Sequence, residues 1–311
     1  MRIFESLDFS EKFKAPVLTI GNYDGVHLGH RTIIEIVKQK AREISGTSML
    51  MTFNPHPLHV LRPEKEPPLI TPLEEKKKLI AAAGIEVLIV VPFTEEFSQT
   101  PPELYVRDIL VGKLGIRELV VGYDFKFGRG GRGDLDGMRK YAHACGFSLD
   151  VVDAVIMDGE KVGSNKIRKV IQAGDLDKAS HFLGRPYMLS GRVVGGQGRG
   201  RTFGFPTVNL ETSSNLIPAN GVYISELGFN EGRLASVTNV GYNPTFGQQE
   251  RTIETFILDY NGDLYDRSVR LFFHRKIRDE IRFNDVEELR KRIEIDVECA
   301  REYFAERPRN Q

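Results

Sequence analysis

Two stretches of this chain gather residue types that handle phosphate. The first is Gly21-Asn22-Tyr23-Asp24-Gly25-Val26-His27-Leu28-Gly29-His30, between a β-rich run and a helical pattern. Glycines such as Gly21 and Gly29 admit close backbone approach, and a helix N-terminus offers unpaired N–H groups and positive dipole to an anion. His27 and His30 share one helix face and can donate to phosphate oxygens. Asn22 and Asp24 lie in the same turn. Asp124 follows a later β-rich run and reads either as a group orienting a histidine or ligand, or as a plain turn acid. The run Phe127–Asp134, rich in glycine and arginine, is either a backbone nest for phosphate or an ordinary loop.

The second stretch is Gly195-Gly-Gln-Gly198-Arg-Gly200-Arg201-Thr-Phe-Gly-Phe-Pro-Thr207-Val-Asn209. Its glycines mimic a dinucleotide fingerprint, but no strand–helix crossover surrounds them, and the Lys-Ser/Thr of a Walker loop is missing. Thr207 and Asn209, at its end, carry side-chain oxygens, and the plain reading of the run is a Gly-Pro turn between strands with a buried Asn. Glu254 stands in a strand-like run of apolar and β-branched neighbours, where a carboxylate is costly unless it faces a site. Asp259, later in the same run, reads as a turn residue.

The elements that must position these groups change character midway. Up to roughly residue 155, strands (Pro16–Ile20, Ser48–Phe53, Val87–Val91, Glu118–Gly122, Leu149–Val155) alternate with helical patterns, which predicts a parallel sheet covered by helices. The helices are expected from about Leu28 to Ile44, then at Leu73–Ala83, Pro102–Lys113 and Leu135–Cys145. Ligands of such sheets bind beyond the carboxyl ends of the strands, where the polar clusters fall. From Tyr187, six short runs follow one another without helices: Met188–Val194, Val208–Leu210, Gly221–Leu227, Leu234–Val240, Glu254–Leu258 and Ser268–Arg275. They predict an antiparallel barrel or sandwich. A final helix, Val286–Phe304, carries an apolar stripe of Leu289, Ile293, Val297, Ala300 and Phe304. Ser164–Phe182 reads as two short helices, and Arg185-Pro186 as a linker. The expected domains are 1–184 and 185–311.

Lys+Arg and Asp+Glu balance at 43 each in 311 residues, so bulk charge gives no footprint for nucleic acid or anionic membrane. No run approaches the ~20 apolar residues that span a bilayer, and the N-terminus lacks the layout of a secretory signal. Cys145 and Cys299 are expected as packed thiols rather than a disulfide. A cytoplasmic location is expected.

The first motif has the H-x-G-H arrangement of the nucleotidyltransferase superfamily. More closely, it resembles the G-N-F-D-G-V-H-L-G-H of bacterial bifunctional riboflavin kinase/FAD synthetases, with Tyr23 in place of Phe. The resemblance continues in Thr52-Phe53-Asn54-Pro55-His56-Pro57, where the family usually has Glu at Asn54, and in Val121–Gly128. The superfamily's S-S-T-x-I-R appears as Gly163-Ser164-Asn165-Lys166-Ile167-Arg168. The second motif resembles the riboflavin kinase family's G-x-G-R-G-R-x-L-G-F-P-T-x-N, with Phe203 at the usual Leu. Asn239–Phe246 resembles its N-I-G-x-R/N-P-T-F.

The resemblance implies an N-terminal α/β Rossmann-like nucleotidyltransferase domain, then an antiparallel β-barrel riboflavin kinase domain closed by a C-terminal helix. It implies riboflavin + ATP → FMN + ADP, then FMN + ATP → FAD + pyrophosphate, with Mg²⁺. His27, His30, Ser164 and Arg168 would serve adenylyl transfer and Glu254 the kinase reaction. Gly21, Asn22, Asp24, Gly29, Asp124, Gly198, Gly200 and Arg201 would contact nucleotide, and Thr207 and Asn209 would also place the metal. Phe53, Asn54, Pro55 and Asn239 would contact flavin. Asp296 and Arg301 on the last helix read as contacts to flavin or nucleotide, or as an ordinary helix face.

Asn54 and Asn165 depart from the family pattern. They motivate a second reading, a riboflavin kinase with weak or altered adenylyltransferase activity. A flavin-binding regulatory protein is a third reading, against which Thr207, Asn209 and Glu254 argue, because sensing needs neither base nor metal. A nucleic-acid-binding barrel would need an aromatic platform with a basic stripe, and the second half has none.

Overall fold

The computed structural model describes residues 1–195, 204–230, 232–245, 248–281, 283 and 285–306, with the side chains of 243–245 and 248–250 outside the description. By internal contacts the chain divides into Met1–Ser164 and Asn165–Gln311.

The first unit is built on a parallel sheet. Its strands are β1 (Arg2–Phe4), β2 (Pro16–Ile20), β3 (Thr47–Asn54), β4 (Val87–Pro92), β5 (Glu118–Gly122) and β6 (Ser148–Val152), in spatial order β1-β4-β3-β2-β5-β6. All five residues of β2 are buried, as expected of a central strand covered on both faces. Chain order reverses between β2 and its neighbours β3 and β5. The loops leaving the carboxyl ends of β2 and β5 therefore flank the crevice where such sheets bind ligands. Helix α1 (Leu28–Glu43) follows β2, α2 (Leu73–Ala82) follows β3, and α3 (Leu135–Cys145) follows β5. Two apolar cores, one on Leu18, Met49, Ile89 and Leu119 and one on Val17, Leu50, Ile34 and Ile80, cover opposite sides of the strands. That is the period-two alternation of strand side chains at work.

Local differences from the sequence reading have physical causes. The edge strand β1 is only three residues long, too short for an alternating pattern. The expected helix at Pro102–Lys113 begins as an α-turn and continues with π pitch over Tyr105–Lys113. Cys145 and Cys299 are both free, but Cys145 is exposed rather than packed. It is the last residue of α3, just before Gly146 caps the helix in the left-handed region.

The second unit opens with helices α4 (Ser164–Ala173) and α5 (Leu176–Leu183), which bracket the interval between this division and the boundary read from sequence at 184/185. Six antiparallel strands then close a barrel: β9 (Tyr187–Val194), β10 (Thr207–Glu211), β11 (Gly221–Phe229), β12 (Gly232–Thr245), β13 (Gln248–Ile257) and β14 (Ser268–Arg278), in spatial order β10-β13-β12-β11-β14-β9. The short hairpin β7 (Ile156–Met157) and β8 (Glu160–Lys161) belongs to the first unit. Among the described residues, full closure leaves the barrel no unpaired edge strand. Inside, the fully buried hydroxyls of Ser225, Ser236, Thr238 and Thr255 satisfy one another at 2.7–2.9 Å. Helix α6 (Val286–Ala305) packs Val297, Ala300 and Tyr303 against Val222, Ile224 and Val237 on the opposite strand face.

Candidate active sites

At the first site, the loop between β2 and α1 is fixed from several directions. His27 is the N-cap of α1: its Nδ1 accepts the His30 N–H at 3.3 Å, and it is 5% exposed. An accepting Nδ1 puts the proton of the neutral ring on Nε2, a donor for an anion. The rings of His27 and His30 stack at 3.6 Å between centroids, and His30 lies 4.8 Å from the Tyr23 ring. Gly29 permits this fold-back, since a Cβ there would stand 3.2 Å from the His27 ring. Tyr23 holds φ +49°, and its hydroxyl meets Thr19 Oγ1 at 2.5 Å. That partner accounts for a phenol where the resembling family has Phe.

Asp24 is 1% exposed, and its carboxylate accepts the Ile70 and Thr71 N–H groups at 3.1 Å. Its carbonyl accepts the Ser164 hydroxyl at 2.9 Å. Asp24 thus anchors the loop to the segment before α2, and Ser164 to the loop. The Asn22 side chain meets His56 Nε2 at 3.2 Å, while the Asn22 backbone carbonyl accepts Thr52 Oγ1 at 3.1 Å and Lys76 Nζ at 2.9 Å. Gly21 joins the end of β3 through its N–H to Met51 O at 3.1 Å.

Asn54 is exposed at the end of β3, joined to Pro55 by a cis peptide bond. Phe53 is half-buried, and its ring packs edge-on against Phe93 at 5.5 Å. Asp124 is exposed in the turn after β5, its Oδ1 close over Gly122. The glycine-rich run closes on itself through the Phe127–Gly133 bridge, and Arg129 N–H reaches Thr100 O at 2.7 Å. Gly133 is needed there, because a Cβ would enter the Phe127 ring. Arg168, one turn into α4, is 7% exposed and donates to Asn165 Oδ1 at 2.7 Å.

At the second site, register does the positioning. Asn209 on β10 and Asn239 on β12 both pair directly with Glu254 on β13. Directly paired residues share a face, so the three side chains form one row across three strands. Thr207, two residues from Asn209, pairs with Phe256 on the same face. The row continues through Val222 to Arg278. There Arg278 grips the carboxylate of Asp296, from α6, with three donor contacts of 2.7–3.0 Å. Asp296 is 2% exposed, with Arg292 at 3.5 Å. Arg301 is exposed and makes a two-pronged pair with Asp259 at 2.7 and 3.1 Å. Gly198, Gly200 and Arg201 lie outside the described residues.

Sequence reasoning missed Lys76, a lysine only 5% exposed beside the first loop. Its signal was available: Leu73, Lys76 and Ile80 fall at helical spacing on one stripe. Arg278 was missed too, and here only the fold reveals the pairing with Asp296.

Comparisons with known proteins match both halves. A family model described as FAD synthetase covers residues 10–166, and one described as riboflavin kinase covers 183–304. The chain is 38% identical over 301 residues to a bifunctional riboflavin kinase/FMN adenylyltransferase of Bacillus subtilis, covering 93% of this chain and 92% of the relative. A protein of the same description from Escherichia coli strain K12 is 36% identical over 289 residues, with the same shares covered. A solved structure from Streptococcus pneumoniae described as a macrolide-efflux protein superposes with TM-score 0.87 at 27% identity, covering 96% of this chain and 98% of that one. Among the described residues no helix is long and apolar enough to cross a membrane. With both family models in tandem and relatives matched nearly end to end, the chain belongs to the bifunctional riboflavin kinase/FMN adenylyltransferase family.

Proposed function

We propose that this chain makes FAD from riboflavin in two ATP-dependent steps. The barrel unit phosphorylates the 5′-hydroxyl of riboflavin, giving FMN and ADP. The α/β unit transfers AMP from a second ATP to the FMN phosphate, giving FAD and pyrophosphate. The observation that carries this reading is the tandem match of the two family models.

In the kinase step a hydroxyl must lose its proton as its oxygen attacks the γ-phosphorus. Glu254 is the base we assign. Its support is the in-register row, with Asn209 and Asn239 on either side. Thr207 and Asn209 supply hydroxyl and amide oxygens on one face beside a carboxylate. That donor set fits Mg²⁺, a hard cation that keeps several waters and is shared with substrate phosphates. When bound, the metal offsets charge on the phosphates of ATP. Asn239 is assigned to the flavin side of the row.

In the adenylyl step the nucleophile is already an anionic phosphate, so no strong base is required. The work is to hold two polyanions in line and offset charge at the α-phosphate and leaving pyrophosphate. We assign this to the Nε2–H of His27, to His30, Ser164 and Arg168, and to the backbone of the Gly21–Gly29 loop at the α1 N-terminus. Phe53, Asn54 and Pro55, at the end of β3, are assigned to the flavin. A second reading, weaker adenylyl transfer beside full kinase activity, draws support from Asn165, whose Oδ1 accepts from Arg168.

Incubation with riboflavin, ATP and Mg²⁺, following FMN and FAD separately, tests the proposal. FMN followed by FAD and pyrophosphate is expected. FMN alone would favour the second reading, and no FMN would overturn both.

A further inference from the structure

Helix α2 carries Lys76, Lys77 and Lys78 in succession, and they meet different fates. Lys77 pairs with Glu5 and Glu74, and Lys78 with Glu75. Lys76 turns inward on the stripe of Ile80 and is 5% exposed. Its Nζ donates to the Asn22 carbonyl at 2.9 Å, which also accepts Thr52 Oγ1. Two residues on, the Asp24 carboxylate accepts N–H groups of Ile70 and Thr71, just before α2. One segment, residues 70–76, therefore clamps the loop at two points.

The clamp fixes more than a carbonyl. In a trans peptide the C=O and the following N–H point in opposite directions. With the Asn22 carbonyl drawn to Lys76, the Tyr23 N–H faces away from α2, as a donor to a bound anion must. Burial holds the Lys76 ammonium below the ordinary lysine range, opposed by the nearby Asp24 charge. A buried cation is an expensive prop if propping is all it does, since an apolar side chain of like size serves that purpose.

We propose that Lys76 is a positioning residue for adenylyl transfer, setting the Asn22–Tyr23 peptide and adding positive charge behind the loop that receives the ATP phosphates. The inference rests on the adenylyltransferase reading of this site. It separates Lys76 from the groups that touch substrate: its loss should appear in the binding of ATP before it appears in chemistry.

The test measures FAD formation from supplied FMN at varied ATP, in the full chain, for wild type and Lys76→Met. Riboflavin phosphorylation by the same preparations serves as control. The expected result is a KM for ATP raised about tenfold in FAD formation, with kcat within about threefold and the kinase reaction unchanged. A lysine that only maintained structure would lower the active fraction, and so kcat, without moving KM. A KM within about twofold of wild type overturns the proposal, whatever happens to kcat. If near-UV circular dichroism shows Lys76→Met misfolded, Lys76→Gln, which keeps a donor without the charge, decides by the same criterion. A wild-type chain that makes no FAD refutes the adenylyltransferase reading itself, an outcome distinct from a variant that leaves KM unmoved.

Discussion

Glu254 is half-buried between two asparagines in register, Asn209 and Asn239. Amides on both sides allow a carboxylate to be oriented without a competing charge on its immediate cross-strand neighbours. Removing a positioned general base lowers a rate by about 10²–10⁴-fold. Glu254→Gln is therefore expected to cut FMN formation by about a thousandfold while FAD formation from supplied FMN continues, read by chromatographic separation of the two flavins. A near-normal FMN rate would remove Glu254 from the mechanism. At the first site, Tyr23 and Thr19 are buried and meet at 2.5 Å, and burial pushes the Tyr23 phenol well above its ordinary range. Tyr23→Phe leaves the Thr19 hydroxyl short of a partner and should cost about 1–2 kcal/mol, while adding Thr19→Val should recover part of the loss. Chemical denaturation of the single and double variants checks this. Residue types were readable here, but partners were not. The histidines and Glu254 announce themselves by spacing and by a charge in an apolar run. That the Asp24 carboxylate would accept backbone N–H groups of residues 70 and 71 needs the fold.

At the scale of elements, α6 is held on the barrel by an apolar stripe and by one buried carboxylate. Asp296 is 2% exposed against Arg278, and removing one partner of such a pair strands the other charge. Asp296→Ala should destabilise the barrel unit by about 3–5 kcal/mol, seen as a lower urea midpoint. An unchanged midpoint would mean that the pair contributes no net stability. A second tie has a pH dependence. Burial raises the Glu226 carboxyl, but His274, at 2.9 Å, and Arg233 outweigh it and leave it below its ordinary value. A carboxylate lowered by folding stabilises above the unfolded carboxylate range, near 4.5, and loses that contribution as pH falls through the folded value. Because the His274 ring packs on Tyr303 and Phe304 of α6, the loss should loosen the helix. Glu226→Gln should therefore lower the urea midpoint at pH 7 and flatten its fall toward pH 3. A parallel fall in both proteins would refute the assignment. Most of these elements were legible in outline. Strands β2 and β5 have the ends that their apolar runs dictate, and α3 ends at the glycine that caps it. β12 and β13 run past their apolar stretches into Asn243–Thr245 and Gln248–Glu250, because pairing between neighbouring strands, rather than side-chain character, extends them. The π pitch at Tyr105–Lys113 has no local signal of this kind.

At the scale of the molecule, the order of the two reactions constrains how flavin moves. Both steps act at the same end of riboflavin: its 5′-oxygen attacks first, and the phosphate gained there attacks second. One flavin cannot offer that end to two sites at once, so FMN must leave the kinase site before it is adenylylated. Each unit has its own packed core, so each is expected to retain its activity when the other is disabled. The expected consequence is complementation between chains. Chains carrying His30→Ala are expected to make FMN but no FAD, and chains carrying Glu254→Gln to make FAD only from supplied FMN. Mixed with labelled riboflavin and ATP, the two should yield FAD after a lag in which FMN accumulates, and added unlabelled FMN should dilute the label arriving in FAD from riboflavin. A mixture that accumulates FMN yet forms no FAD would mean that the second site accepts flavin only from its own chain. Release into solvent would then be the step that fails, while the assignment of the two chemistries would stand on the single variants.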